Sequence, residues 1–501
     1  MSTVRYSGIA VPAASRPPFD GAHSERGPPP SDLVAPPNSR RTVTAIVATS
    51  RAAIDRVLPR GAIVLTVLSF AYFAMGVVRN RVFANTYGAG AELDAYNAAF
   101  RIPEIALDVL VAAGLTAPFV PIFTSLRHDR PDDGDANGFG RTVLTGAIAV
   151  MTIASIAIFL AAPWLAGVIG GGFDAATQDL YVHLLRINCL AQVLFAASMV
   201  LGEVLVAHRR FLFYALAPIL YTTGIIVGTV LFASRFGVVA SAWGAVGGAL
   251  AHLAIRAFGT TRTSFRIGLG SAFGTPAFRE FFRLMLPRMA SVPIDPLTVT
   301  YFTAVAAGLG VGSVSSLSFA LDYQVLPVSL IGVSFSLAIF PVLSAAFADG
   351  DGPGFRAELG RNLVTIALLT SVAAIGLFVL ATPLVDRLLG GGQFDAEDVS
   401  RTAAVVAAFA FSIPFDALAY PLSRGLYATH DTLRQVVASF AGLAVVVVVT
   451  QAFVGSEGLL AIPLGYTAGV IAKDVLLAIF LAPRVRQVGR ATRAGSGVSL
   501  P

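Results

Sequence analysis

The chain has 501 residues, of which 55% are hydrophobic and only 13% charged, with a mean hydropathy of +0.75 and a net charge of +6. A soluble domain carries about twice that charged fraction, so water is excluded as the main solvent of this chain and a bilayer is implied. Transmembrane β-strands are excluded as well, because runs such as 445 to 449 stay apolar without the required alternation.

Residues 1–55 are rich in proline and arginine (Pro28, Pro29, Pro30, Pro36, Pro37) and too poor in apolar periodicity to bury a core. They read as a disordered cytoplasmic tail with no cleaved signal peptide. Twelve helical spans follow. The first six cover about 61–83, 92–124, 142–169, 179–207, 212–233 and 238–258. The other six cover about 281–307, 313–347, 358–388, 399–427, 433–454 and 459–482. Residues 56–262 therefore form an N-terminal six-helix lobe and 263–483 a C-terminal one, with 484–501 left as a short basic cytoplasmic tail. The pairs Gly224 with Gly228 and Gly244 with Gly248 suit close helix packing.

The second half repeats the first. Gly170-Gly171-Gly172-Phe173-Asp174-Ala175 returns as Gly390-Gly391-Gly392-Gln393-Phe394-Asp395-Ala396. Ala162-Pro163 is answered by Thr382-Pro383, and Ala207-His208 by Thr429-His430, at a steady offset of about 220 residues. The predicted fold is thus all-α, with two lobes related by a pseudo-twofold axis along the membrane normal, the build of an alternating-access transporter.

Charge sets the orientation. Arg127, Arg130 and Arg141, then Arg209 and Arg210, then Arg262, Arg266 and Arg279, then Arg356 and Arg361 occupy alternate connections, while the turns between them hold no lysine or arginine. The basic ends are expected in the cytoplasm together with both termini. The basic excess therefore reads as a topology signal, not as a nucleic-acid surface.

Several ionisable residues fall inside predicted spans: Arg79, Arg101, Glu104, Asp108, Arg186, Glu203, Arg288, Asp295, Asp322, Asp416, Arg424 and Asp474. Each costs at least ~2.5 kcal/mol facing lipid at mid-bilayer, so they are expected in a cavity, in pairs or at helix ends. Arg288 and Asp322 are the strongest cavity candidates, with Asp295 one to two turns beyond Arg288. Pro287, Pro293, Pro296, Pro327, Pro414 and Pro421 gather beside these charges, as hinges or static kinks. Cys189 sits alone in an apolar run, and Lys473 is the only lysine. No phosphate-binding glycine loop, metal-spaced histidine pair or nucleophile elbow is present, so neither an enzyme nor a bound cofactor is expected.

Gly76, Val77, Val78 and Arg79, then Gly88-Ala89-Gly90, Asp94-Ala95, Ala99-Phe100, Pro103 and Phe119-Val120-Pro121 together resemble the opening of the MurJ/MviN family of lipid II flippases. Further matches follow in the same order. They are Ala162-Pro163 with Gly172-Phe173, Arg210-Phe211 with Ala217-Pro218, and Ser313-Val314 with Ala320, Pro327, Gly332-Val333, Pro341 and Ser344. The resemblance covers about residues 60–485.

It implies a central cationic cavity in a bacterial plasma-membrane protein, a monomer that carries undecaprenyl-pyrophosphate-linked peptidoglycan precursor to the outer leaflet. Membrane lipids and a coupling cation are the implied further partners. Arg79, Asp94, Arg101, Arg288 and Asp322 are the expected substrate-binding residues, since arginine forks suit a pyrophosphate. Further family arginines fall here on Phe73, Leu107 and Asp322, and two additional helices of many members are absent. Export of another lipid-linked glycan, or of drugs and organic cations through an acidic cavity on Asp295, Asp322 and Asp416, is the alternative. A non-transporting scaffold acting through the N-terminal tail is a third.

Overall fold

The computed structural model describes residues 60–129, 134–289 and 294–495, so the predicted N-terminal tail lies outside the described residues. All regular elements among them are helical, as a chain solvated by lipid requires when each backbone amide must be satisfied within its own segment.

The first lobe runs through α1 (Arg60–Tyr87), α2 (Ala91–Leu107), α3 (Ala113–Asp129), α4 (Gly134–Ile169), α5 (Ala175–Ala207), α6 (Phe211–Phe236) and α7 (Val239–Thr260). The second runs through α8 (Pro276–Met289), α9 (Ile294–Ala307), α10 (Ser313–Pro327), α11 (Ser334–Ala348), α12 (Gly352–Val379), α13 (Ala381–Leu388), α14 (Ala396–Ala410), α15 (Ile413–Ala428), α16 (Thr432–Glu457) and α17 (Ala461–Gly495). These follow the twelve predicted stretches in order. Among the described residues, six helices are long and apolar enough to cross a membrane unaided, or seven if the bent pair α14–α15 is one span. At the C-terminus α17 continues to Gly495, past the boundary drawn at 483.

Duplication is written into the backbone. A π-helical turn, Asp108–Ala112, joins α2 to α3, and Val328–Val333 joins α10 to α11 at the matching place. Prolines lie inside both rods (Pro103, Pro118 and Pro121; Pro327 and Pro341), where a missing amide loosens the helical ladder. Arg209 (φ 56°) and His430 (φ 59°) each turn left-handed after α5 and α15. Asp174 caps α5 through the Thr177 amide at 2.7 Å, and Asp395 caps α14 through the amides of Glu397 and Asp398 at 2.9 Å. His208 bonds the Val204 carbonyl through Nδ1 at 2.8 Å, closing α5.

Packing explains the glycine pairs. At the α6–α7 crossing Gly224 lies against Gly248, and Gly228 against Gly244, so closely that a Cβ at any of the four would overlap backbone atoms. The outer belt is apolar: Ile153, Leu160 and Trp164 on α4 and Leu368, Val372 and Ile375 on α12 are exposed. Polar side chains on α1, α2, α10 and α15, among them Arg79, Arg101, Asp322 and Asp416, face the space between the lobes.

Candidate functional site

A cavity of about 720 Å³ lies between the lobes, walled by α1, α2 and α6 on one side and by α9, α10, α15, α16 and α17 on the other. It reaches from Phe83 on α1, little more than a turn before the Gly88 turn, to Tyr427 and Gln435 beside the α15–α16 turn. Four cationic residues (Arg79, Arg101, Arg424, Lys473) and four acidic ones (Glu104, Asp295, Asp322, Asp416) line it. The chamber is therefore charge-balanced, where the family resemblance implied a cationic one.

Arg79 and Asp322 meet across the lobes. Arg79 Nη2 donates to Asp322 Oδ2 at 3.0 Å, and Asn80 Nδ2 donates to the same oxygen at 2.8 Å. Asn80 Oδ1 also accepts from Arg79 Nε and Nη2 at 3.1 and 2.8 Å, which fixes the guanidinium plane. Arg101 lies 4.0 Å from Glu104 and donates to Ser318 Oγ at 3.4 Å, again from first lobe to second. In the second-lobe wall, Asp416 Oδ2 accepts from Gln324 Nε2 at 2.9 Å and from the Tyr466 hydroxyl at 2.8 Å.

Asp94 occupies a different place. It is 1% exposed and accepts from the Gly312 and Ser315 amides at 2.6 and 2.7 Å and from the Ser315 hydroxyl at 2.6 Å. A first-lobe carboxylate thus caps the N-terminus of α10, where free amides and the helix dipole favour negative charge. The second lobe returns the arrangement, for Asp398 Oδ2 accepts from the Ala89 amide, just ahead of α2, at 2.9 Å. Arg401 pairs with Asp398 at 2.5 Å and donates to the Val311 carbonyl at 3.0 Å. The Gln393 amide donates to the Asn85 carbonyl at 3.0 Å, and Arg81 Nη1 to the Arg387 carbonyl at 2.7 Å. Backbones touch here: a Cβ on Gly312 (φ 84°) would overlap the Ala89 carbonyl, and one on Gly172 would overlap Gly308. This end of the molecule is sealed.

Of the five residues singled out from sequence, Arg79, Arg101 and Asp322 share the cavity and Asp94 belongs to the seal. The Arg288 side chain lies outside the described residues. Asn80, Gln324, Tyr466, Asp398 and Arg401 were not anticipated. The Asp398–Arg401 spacing of one helical turn was the available signal, hidden because both sit where the tenth predicted span, about 399–427, was expected merely to begin.

Two helical lobes around a polar chamber closed at one end define the class: a multi-pass membrane transporter. The family model described as lipid II flippase MurJ matches residues 83–495, and the chain belongs to that family. It is 28% identical over 435 residues to the lipid II flippase MurJ of Burkholderia cenocepacia, covering 84% of this chain and 83% of the relative. It is 26% identical over 403 residues to a probable lipid II flippase MurJ of Thermotoga maritima, covering 79% and 80%. Among solved structures, a lipid II flippase MurJ in an inward closed conformation superposes with a TM-score of 0.72 at 20% identity, over 88% of this chain and 94% of that one. A multidrug resistance MATE family transporter of the MOP superfamily, inward-facing, gives 0.69 at 14% identity, over 83% and 96%.

Proposed function

We propose that this chain is a lipid II flippase of the bacterial cell membrane, moving the undecaprenyl-pyrophosphate-linked precursor to the outer leaflet by alternating access. Family membership supports the cargo, and one geometric observation supports the mechanism: Arg79 is tied to Asp322 across the lobes at the apex of the chamber. The basic connections face the cytoplasm together with both termini, so the chamber opens to the cytoplasm and the seal faces outward.

A pyrophosphate entering the chamber competes with Asp322 for the Arg79 fork, since phosphate oxygens offer the same bidentate acceptors as a carboxylate. Arg101, beside Ser318, supplies a second cation. Capture of the headgroup exchanges an interlobe tie for a bond to cargo. The first lobe is then freed to rock, the reciprocal caps of Asp94 and Asp398 part, and the chamber opens outward. No covalent bond forms or breaks. One chain supplies both lobes, so the monomer suffices, and an inward-moving cation returns the empty lobes.

Complementation of a flippase-depleted bacterium tests this. Wild-type protein restores wall synthesis and Arg79→Ala does not. Export of organic cations through the acidic wall predicts instead that rescue fails and that Arg79→Ala keeps its efflux.

A further inference from the structure

Charges are used differently in two parts of the chamber. At the apex opposite signs answer one another, Arg79 with Asp322 at 3.0 Å and Arg101 with Glu104 at 4.0 Å. Along the rest of the second-lobe wall stand Asp295 on α9, Asp416 and Arg424 on α15, and Lys473 on α17. Among the described residues these four make no ion pair with one another or with any other side chain. Asp295 is exposed and the other three are half-buried. Neutral groups hold two of them in place: Asp416 Oδ2 takes Gln324 and the Tyr466 hydroxyl, which leaves Oδ1 without a donor among the described residues, and the Arg424 guanidinium lies over the Phe340 ring at 5.5 Å. Lys473 and Asp295 both act through space on Asp416, and Arg424 and Asp295 both on Tyr427, so the four share one stretch of wall.

Water solvates such charges while the chamber is empty. A ligand that displaces the water must bring the opposite sign to each of them or leave an ion enclosed and unpaired, which is costly. A pyrophosphate alone meets the two cations and is repelled by the two acids. An organic cation meets the reverse. A group that bears both signs, set apart along an extended chain, satisfies all four.

We infer that this wall is a subsite for a zwitterionic peptide, in which Asp295 and Asp416 take an ammonium and Arg424 and Lys473 take carboxylates. That the peptide is the one borne by a peptidoglycan precursor rests on the flippase reading. The headgroup then lies along the chamber, with its pyrophosphate at Arg79 and its peptide against α9, α15 and α17. Charge balance in the chamber follows from the cargo, whose one end is anionic and whose other end carries both signs.

Calorimetric titration of the purified full-length protein tests the subsite with two soluble probes. One is a uridine-diphosphate N-acetylmuramyl peptide whose single amine is a lysine ammonium; the other is uridine-diphosphate N-acetylglucosamine, which has a pyrophosphate and a sugar but no peptide. Wild type is expected to bind the first about tenfold or more tightly than the second, and this ratio is expected to fall in Asp295→Asn and in Lys473→Met. Acetylating the amine is expected to lower the ratio in wild type and to leave Asp295→Asn with little further to lose, while Lys473→Met still lowers it. Equal affinities for the two probes in wild type, or an acetylated probe that binds as tightly as the native one, overturn the subsite. Should the variants not fold, the acetylated probe on wild type decides alone. The free peptide, titrated by itself, separates the subsite from the cargo. If the peptide-free probe does not bind wild type, the flippase reading falls; the subsite then stands if the free peptide binds more tightly than its acetylated form, and is overturned if the two bind alike or not at all.

Discussion

Asp322 acts as a resident anion on Arg79, and its removal separates binding from rocking. In Asp322→Asn the guanidinium keeps its Asn80 contacts but loses its charged partner. A charge-assisted bond is worth about 1.5–3 kcal/mol, and a pyrophosphate no longer has to displace one, so headgroup affinity is expected to rise about tenfold or more. Titration of a soluble pyrophosphate-sugar analogue into the purified protein checks the sign; weaker binding would show that Asp322 belongs to the cargo site rather than competing with it. Arg79→Ala, by contrast, is expected to lose binding. That Arg79 needed a cavity, a partner or a helix end was legible in the sequence, because it falls inside an apolar span. Its partner Asp322 stood out by the same rule, yet nothing local could pair two residues 243 positions apart across two lobes.

Helix ends carry the next level of control. Asp94 caps α10 from the opposite lobe, so Asp94→Asn, which removes the charge and one acceptor, is expected to weaken the seal by about 1.5–3 kcal/mol and raise labelling of a cysteine placed at the buried Ser316. At the other end of the molecule Asp431 caps α16 through the Arg434 amide and pairs with Arg434 and Arg484 at 3.2 and 2.8 Å. Burial opposes its ionisation, but the hydrogen bond from Arg484 and the flanking guanidinium groups outweigh that and hold the carboxyl below its usual range. Its contribution is therefore fully present above the ordinary aspartate value near ~3.9 and is lost as pH falls through the lower folded value. Asp431→Ala is expected to lower the melting temperature at neutral pH, by the ~1 kcal/mol a lost cap costs, and to narrow the gap from wild type in acid. The twelve apolar stretches and the repeated glycine turn were plain from composition and period alone. The π-helical turns after α2 and α10 were not, because proline marks a weakened ladder without saying whether it kinks, breaks or winds wider.

Alternation requires that the sealed end open while each lobe stays whole, which follows if each lobe is locked more firmly within itself than to the other. At the seal the lobes meet through Asn85 with Gln393, Ala89 with Asp398, and Asp94 with Gly312 and Ser315. Within the first lobe, by contrast, α6 and α7 are locked backbone to backbone by four glycines. When the lobes part the seam's hydrogen bonds can be exchanged with water, but apolar side chains of both lobes that share one buried cluster, among them Leu93, Ile169, Phe302 and Leu317, are exposed as well, so opening has to be driven. A covalent bridge at the seam should then stop the cycle without disturbing the fold. Cys189, the only native cysteine, is buried and is replaced by alanine to leave a clean background. Cysteines at Asn85 and Gln393, whose backbones bond at 3.0 Å, are expected to form a disulfide under mild oxidation. The oxidised protein is expected to keep its melting temperature, still bind the headgroup analogue from the chamber side, and move no lipid II in liposomes until reductant is added. Transport that continues with the bridge closed would mean that the lobes do not part at this end, and the seal would be a fixed floor instead of a gate.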